Sequence, residues 1–214
     1  IEALEFYKDD YLVSASSDKM ISLWRVSDWE HMKQLKGHTG CISAISISPT
    51  GKFMLSAGRD GSLRMWDLMY GHNAKTRKLD VIATFVGFTE DSTKFFFGYD
   101  RTVSVVDGVS ENILFNFNHE KQVTCYSLYN NILWVGTTNG HIYAWSLEDG
   151  DKKGDYIISE DRIKMIANHD HYIITLTSAG HIDIGTISDD FDIDTVLEWD
   201  LKRRITCGAY MAPV

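Results

Sequence analysis

Proline is almost missing from this chain: Pro49 and Pro213 are the only two in 214 residues. Sustained helical periodicity is missing as well, so a helical bundle or solenoid is excluded. No run approaches the roughly 18 apolar residues of a membrane-spanning helix. The three cysteines, Cys41, Cys125 and Cys207, lie far apart in apolar contexts, and no Asn-x-Ser/Thr sequon accompanies them. An odd set of isolated thiols fits a reducing, intracellular compartment rather than a disulfide framework. Cations are in deficit, with Lys and Arg numbering 21 against 30 Asp and Glu, a formal charge of −9. That balance argues against this segment gripping a nucleic-acid backbone, which needs clustered Lys and Arg. Neither the G-x-x-x-x-G-K-[ST] nor the G-x-G-x-x-G phosphate cradle occurs. No signal peptide is evident; the opening at Ile1, inside what reads as a strand, suggests a segment of a longer polypeptide. At 44% hydrophobic and 24% charged, the composition excludes disorder.

What is present is a repeat. The stretch KGHTGCISAISISPTGKFMLSAGRDGSLRMWDL, Lys36 to Leu68, holds three short apolar runs separated by Pro-Thr-Gly and Asp-Gly turns. Such punctuation makes an antiparallel meander. Its Gly37-His38 opening and Trp66-Asp67 close resemble the WD40 repeat, one blade of a β-propeller. Aligned on its turn residue, the pattern recurs at Asp18, Asp60, Asp100, Asn139 and Ala179, at spacings of 42, 40, 39 and 40 residues. Six positions further on stand Trp24, Trp66, Val106, Trp145 and Gly185. A period near 40 predicts an all-β propeller, with five blades visible and a sixth begun.

The units fall at about 1–35, 36–79, 80–117, 118–158 and 159–200, with a closing strand in 201–214, all within one propeller segment. Strands are expected at Ala3–Tyr7, Tyr11–Ala15, Ile21–Arg25 and His31–Leu35. The second unit ends near Thr76–Leu79. The third reads Val81–Phe88, Lys94–Gly98, Thr102–Asp107 and Ile113–Phe117. The fourth contains Val123–Leu128, Ile132–Gly136 and His141–Trp145. The fifth contains Ile163–Ala167, Tyr172–Thr177, His181–Ile187 and Thr195–Trp199, and Ile205–Tyr210 begins a sixth. In Ile42–Ile47 the apolar set slips phase between Ala44 and Ile45, which predicts a bulge or burial on both faces.

Several residues invite a chemical reading. His38, Ser56 and Asp60 have the side chains of a nucleophilic triad. The WD resemblance implies instead that they form, with Trp66, a buried structural tetrad: Asp to His, His to Ser, Ser to indole. A fully satisfied buried network rigidifies a fold, and this is the reading adopted. The first unit keeps Ser14, Asp18 and Trp24. The fourth keeps His119 and Trp145, with Asn139 for Asp and Val135 for Ser. The third and fifth have lost most of the set, so softer packing is expected there. His169-Asp170-His171 could pair on a metal, but no third ligand is near and a solvated turn is preferred. Cys125 and Cys207 share a V/I-T-C context that suits repeated core residues. The acidic Ser188–Asp194 run reads as a solvated loop. No metal and no cofactor is expected. Ser17, Arg59, Tyr99, Thr138 and Ser178 each precede the turn position, and in propellers that position faces a surface where partners dock. Arg and Tyr are favoured anchors there, although plain exposed turns are an equal reading.

Beyond the generic repeat, three stretches carry a closer resemblance: SASSDKMISLW, SDWEHMKQLKGHTG with Trp29 and Lys33, and ISPTGKFMLSAGRDGSLRMWDLMYG. They resemble the p21-activated kinase-interacting protein family, related to the yeast maintenance-of-killer ribosome assembly factor, as does the closing RRITCGAY. The resemblance implies a seven-bladed ring and a non-catalytic nucleolar factor assisting large ribosomal subunit assembly through pre-60S assembly factors or ribosomal proteins. It also implies, for animal members, binding and restraint of a p21-activated kinase. Residues that start the ring and a Lys-rich tail would then lie outside this segment. An unrelated WD adaptor, such as a ubiquitin-ligase substrate receptor, and an enzyme built on a propeller are the remaining alternatives.

Overall fold

Among the described residues most short apolar runs form strands, and the Gly- and Asp-bearing breaks between them form reversals. The computed structural model describes residues 1–188 and 191–205. Among them, twenty strands form five four-stranded antiparallel sheets. The first sheet contains β1 (Ala3–Tyr7), β2 (Tyr11–Ala15), β3 (Met20–Arg25) and β4 (Glu30–Lys36). The second contains β5 (Ile42–Ile47), β6 (Phe53–Gly58), β7 (Ser62–Asp67) and β8 (His72–Lys78). The third contains β9 (Phe85–Phe88), β10 (Lys94–Tyr99), β11 (Thr102–Asp107) and β12 (Ile113–Asn118). The fourth runs through β13 (Val123–Tyr129), β14 (Ile132–Thr137), β15 (His141–Ser146) and β16 (Lys152–Ile157). The fifth runs through β17 (Ile163–His169), β18 (Tyr172–Thr177), β19 (His181–Ile187) and β20 (Ile193–Asp200). The order within each sheet follows the chain. The all-β meander read from the 40-residue period is therefore what the chain forms.

The chain divides into two compact units, Ile1–Asn116 and one that begins at Phe117, so the division falls within β12. In the first unit the innermost strands adjoin, β1 against β5 and β5 against β9. Val13, Ile21, Ile42, Met54 and Trp66 fill the space between the first and second sheets. Leu55, Leu63, Phe95, Phe97 and Val106 fill that between the second and third. Met54 and Leu55 are neighbours on β6 facing opposite cores, since successive strand residues point to opposite sides. A blade is thus buried on both faces, and each fully buried Leu or Ile contributes about 1.5–3 kcal/mol. In the second unit β13 lies against β17, and Trp134, Ile142, Ile163, Ile166 and Ile173 form the core.

The phase slip in β5 corresponds to both predicted causes. The strand is buried on both faces, and its register with β6 shifts between Ile42 and Ala44, leaving Ser43 as the extra residue. Ser43 Oγ reaches the carbonyls of Ala57 at 3.1 Å and Ala83 at 2.9 Å. The same shift recurs at Thr124 in β13 and at Lys164 in β17.

Most strand boundaries lie within two residues of those read in the sequence, and three strands differ by more. β8 begins at His72, not Thr76, because its polar residues pair with β7 from Asp67 outward. The predicted Val81–Phe88 strand shortens to Phe85–Phe88; Val81 and Ile82 lie in the connecting loop, with Ile82 54% exposed. β16 was not anticipated at all, since KKGDYI carries no apolar alternation. Of the predicted Ile205–Tyr210 strand, residues 206–210 lie outside the described residues, as does Cys207.

Candidate functional site

The constellation that most resembles chemistry is built on one sheet. His38 precedes β5, Ser56 sits in β6, Asp60 occupies the β6–β7 turn, and Trp66 ends the apolar part of β7. Trp66 Nε1 donates to Ser56 Oγ at 2.8 Å. Ser56 Oγ lies 2.7 Å from His38 Nε2, and His38 Nδ1 lies 3.0 Å from Asp60 Oδ2. One proton arrangement satisfies the chain: indole N–H to serine oxygen, serine O–H to Nε2, and Nδ1–H to carboxylate. Asp60 also accepts the Thr39 amide at 2.7 Å and the Ser62 hydroxyl at 2.6 Å. Burial works to raise the Asp60 carboxyl, but the Ser62, Thr39 and His38 donors outweigh it and hold it well below the usual carboxylate range. Burial lowers His38 against the pull of Asp60, so the imidazole is neutral at neutral pH.

This geometry can do little chemistry. Ser56 is 0% exposed and Trp66 1% exposed, and the serine oxygen already gives one hydrogen bond and takes one. A nucleophile needs an open approach to its oxygen, and here an indole covers it. Gly58 keeps the pair close: a Cβ there would lie 2.4 Å from His38 Nδ1 and 2.6 Å from Asp60 Oδ1. Gly58, Thr39 and Ser62 escaped the reading of the sequence. Their only signal was proximity to the Gly-His and Asp-Gly turns.

The other units keep parts of the set. In the first sheet Trp24 Nε1 donates to Ser14 Oγ at 2.9 Å, while Asp18 closes its own turn by accepting the Met20 amide at 2.9 Å. In the fourth, Val135 fills the serine position and Trp145 Nε1 donates straight to His119 Nε2 at 3.1 Å. Phe117 stacks on that indole at 4.5 Å, and Asn139 accepts from the Thr137 hydroxyl at 2.8 Å. In the third, Phe96 and Val106 stand at the Ser56 and Trp66 positions, both 0% exposed. There apolar volume replaces the polar pair on both sides. Such a double replacement can be nearly neutral. In the fifth, Thr175 Oγ1 donates to Asp183 Oδ2 at 3.3 Å.

The remaining candidates separate by place. His169 closes β17, Asp170 takes a left-handed backbone (φ 50°) in the turn, and His171 follows before β18. Among the described residues, no group of three or more His, Cys, Asp or Glu gathers as a metal site. Burial pushes the Cys125 thiol up to about 12, which makes it a poor nucleophile. Asp189 and Asp190 of the acidic run lie outside the described residues.

Three of the five turn-preceding residues share one backbone device. The amides of Arg59, Thr138 and Ser178 donate to the carbonyls of Cys41, Gln122 and Arg162 at 2.7, 2.9 and 2.8 Å. Each thereby ties the β-turn to the entry of its sheet's first strand. In the first unit Arg59 and Tyr99 line one groove of about 560 Å³, together with Asp80, Ile82 and Asp100. Tyr99 stacks on Phe97 at 5.7 Å, which steadies its ring. In the second unit Ser178 lines a groove of about 550 Å³ with Arg162, Lys164 and Lys202. Ser17 and Thr138 line neither groove.

Residues 29–67 match the family described as WD domain, G-beta repeat. Over 98% of its length the chain is similar to the p21-activated protein kinase-interacting protein 1-like of Gallus gallus, at 28% identity over 218 residues. It is 29% identical over 209 residues, 96% of its length, to Shk1 kinase-binding protein 15 of Schizosaccharomyces pombe. In both cases it spans 59% of the relative, about three fifths of those curated proteins. Among solved structures it resembles the β-propeller domain of Myceliophteria thermophila Cps50 (Swd1), with TM-score 0.82 over 94% of this chain and 73% of that one. At 16% identity that likeness speaks for the fold alone. The fold is that of a WD40 β-propeller, and the similarity to kinase-interacting WD proteins runs through the whole chain.

Proposed function

We propose that this chain is a non-catalytic, protein-binding scaffold, and that it meets partners through its β-turns, those of Ser17, Arg59 and Tyr99 in the first unit and those of Thr138 and Ser178 in the second. The observation that carries the reading is the groove that Arg59 and Tyr99 share. It is open, and it offers a cation, a steadied aromatic ring and an exposed Ile82 side by side, the composition of an interface anchor. The His38–Ser56–Asp60 set is sealed in the core and leaves the loops as the working surface.

The partner complex we favour is an assembly intermediate of the large ribosomal subunit, met in the nucleolus. It is supported by the resemblance of Val13–Leu79 to the ribosome assembly family and by the charge of −9, which suits basic ribosomal and assembly proteins. A second reading, binding of a p21-activated kinase, is favoured by the names of the relatives from Gallus gallus and Schizosaccharomyces pombe. Affinity purification of the full-length protein, with mass spectrometry and RNA analysis, tests both. Large-subunit precursors among the captured material support the first reading, and a p21-activated kinase without them supports the second. Cullin-type ligase components in place of either would overturn both.

A further inference from the structure

On a chain with an excess of acids, five cations gather in one place. Arg162, Lys164, Lys202, Arg203 and Arg204 line the groove of about 550 Å³ beside Ser178, and among the described residues Asp161 is its single carboxylate. Several cations elsewhere are paired off: Arg25 with Asp28 and Glu30, Lys75 with Glu111, Lys152 with Asp155, Lys153 with Asp149. Among the described residues none of the five in the groove has an ion pair.

Their placement is built by backbone. The Leu201 amide donates to the Gly180 carbonyl at 3.0 Å and the Ile205 amide to the Ser178 carbonyl at 3.1 Å, so Lys202–Arg204 is held at both ends. Gly180 has φ +103°, and a Cβ on it would lie 2.4 Å from the Arg203 carbonyl oxygen. Only a glycine lets that segment seat so closely. Lys164 is the extra residue of the β17 bulge, a device that re-aims a side chain. The segment is fixed while the side chains of Arg162, Lys202, Arg203 and Arg204 stay exposed. Like charges crowded this way repel, and an anionic ligand relieves the repulsion.

We propose that this groove binds an acidic peptide segment, rich in Asp and Glu, on a protein partner. Arginine forks match carboxylates bidentately, which gives such a segment register as well as charge. Single-stranded RNA fits less well. Among the described residues no aromatic side chain lines the groove, so bases would find no stacking platform there, and a long polyanion would run out over a surface of net charge −9. The inference rests on the scaffold reading only in taking a protein as partner. Peptide binding can fail while the purification succeeds, and the reverse.

The test uses the full-length protein and a fluorescein-labelled Asp/Glu-rich peptide, read by fluorescence anisotropy. Arg203→Glu should weaken binding about tenfold or more, as for truncation of a central charge contact, and Arg25→Glu should leave it unchanged. Binding should also weaken as salt rises. Arg203 is exposed, so an unchanged circular dichroism spectrum separates lost binding from lost fold. Three results would overturn the proposal: no peptide binding by the wild type, equal loss in both variants, or tighter binding of a single-stranded RNA of matched charge.

Discussion

Trp145 gives its indole hydrogen directly to His119, where the second sheet routes the same bond from Trp66 to His38 through the Ser56 hydroxyl. Val135, 0% exposed, stands in the place of that hydroxyl. The ring nitrogen that accepts, Nε2, is thereby fixed as the unprotonated one. Trp145→Phe keeps the stacking surface for Phe117 but strands a buried acceptor. A loss of about 1–3 kcal/mol is expected by chemical denaturation; an unchanged midpoint would show that the bond contributes nothing.

Asp60 collects donors from Thr39, Ser62 and His38, and its removal should be felt by all three. Asp60→Ala or Trp66→Phe is expected to lower stability by about 1–3 kcal/mol without selective loss of any one partner. A variant that kept its melting point yet lost a partner would contradict the structural role.

The same network fixes a pH dependence. His38 titrates lower folded than unfolded, so below about pH 6.5 the unfolded chain takes up a proton the folded one refuses. Asp60 is also depressed, and its contribution, present above about pH 4, is lost as pH falls further. Both act in one direction, and the contribution of this network to stability should decline on acidification in two stages. In Asp60→Ala the lower stage should shrink, as unfolding titrations would reveal, while Asp91, also held low by Thr89 and Thr93, keeps part of it.

Glu5 carries the opposite sign. Burial raises its carboxyl to about 7 against the lowering effect of the Ile47 amide, which donates to it at 3.0 Å. The folded chain therefore holds a proton that the unfolded chain releases near pH 4, and stability is lost as pH rises toward 7. Glu5→Gln keeps an acceptor for Ile47 without the charge. It should stabilise by about 1–3 kcal/mol near pH 8, and the gain should shrink toward pH 5. Parallel pH curves for both proteins would show that the carboxyl is solvated.

Arg59→Glu reverses the cation in the groove it shares with Tyr99. If that groove is the docking face, affinity for the purified partner should fall by about 1–2 kcal/mol with no change in thermal stability. Unaltered affinity would move the site to other loops.

Periodicity made the fold legible. The recurrence of Asp18, Asp60, Asp100, Asn139 and Ala179 near every 40 residues placed the sheets before any coordinate did. The phase slip in Ile42–Ile47 announced the β5 bulge, and the resemblance to the WD repeat implied the His38–Ser56–Asp60–Trp66 chain. Outer strands were poorly marked because most of their side chains face water: β16 and β20 are largely exposed and carry no alternation for the core to impose. Tertiary structure alone decided how degenerate units manage. Whether Val135 leaves a gap or lets Trp145 reach His119 depends on the distance between strands, and composition does not encode that distance. It decided the electrostatics too. A net charge of −9 is a sum over the chain, and that sum cannot show that Arg162 and Lys164 meet Lys202–Arg204 in one groove. Those cations lie on opposite sides of a whole sheet in sequence, and only the backbone bonds to Ser178 and Gly180 bring them together.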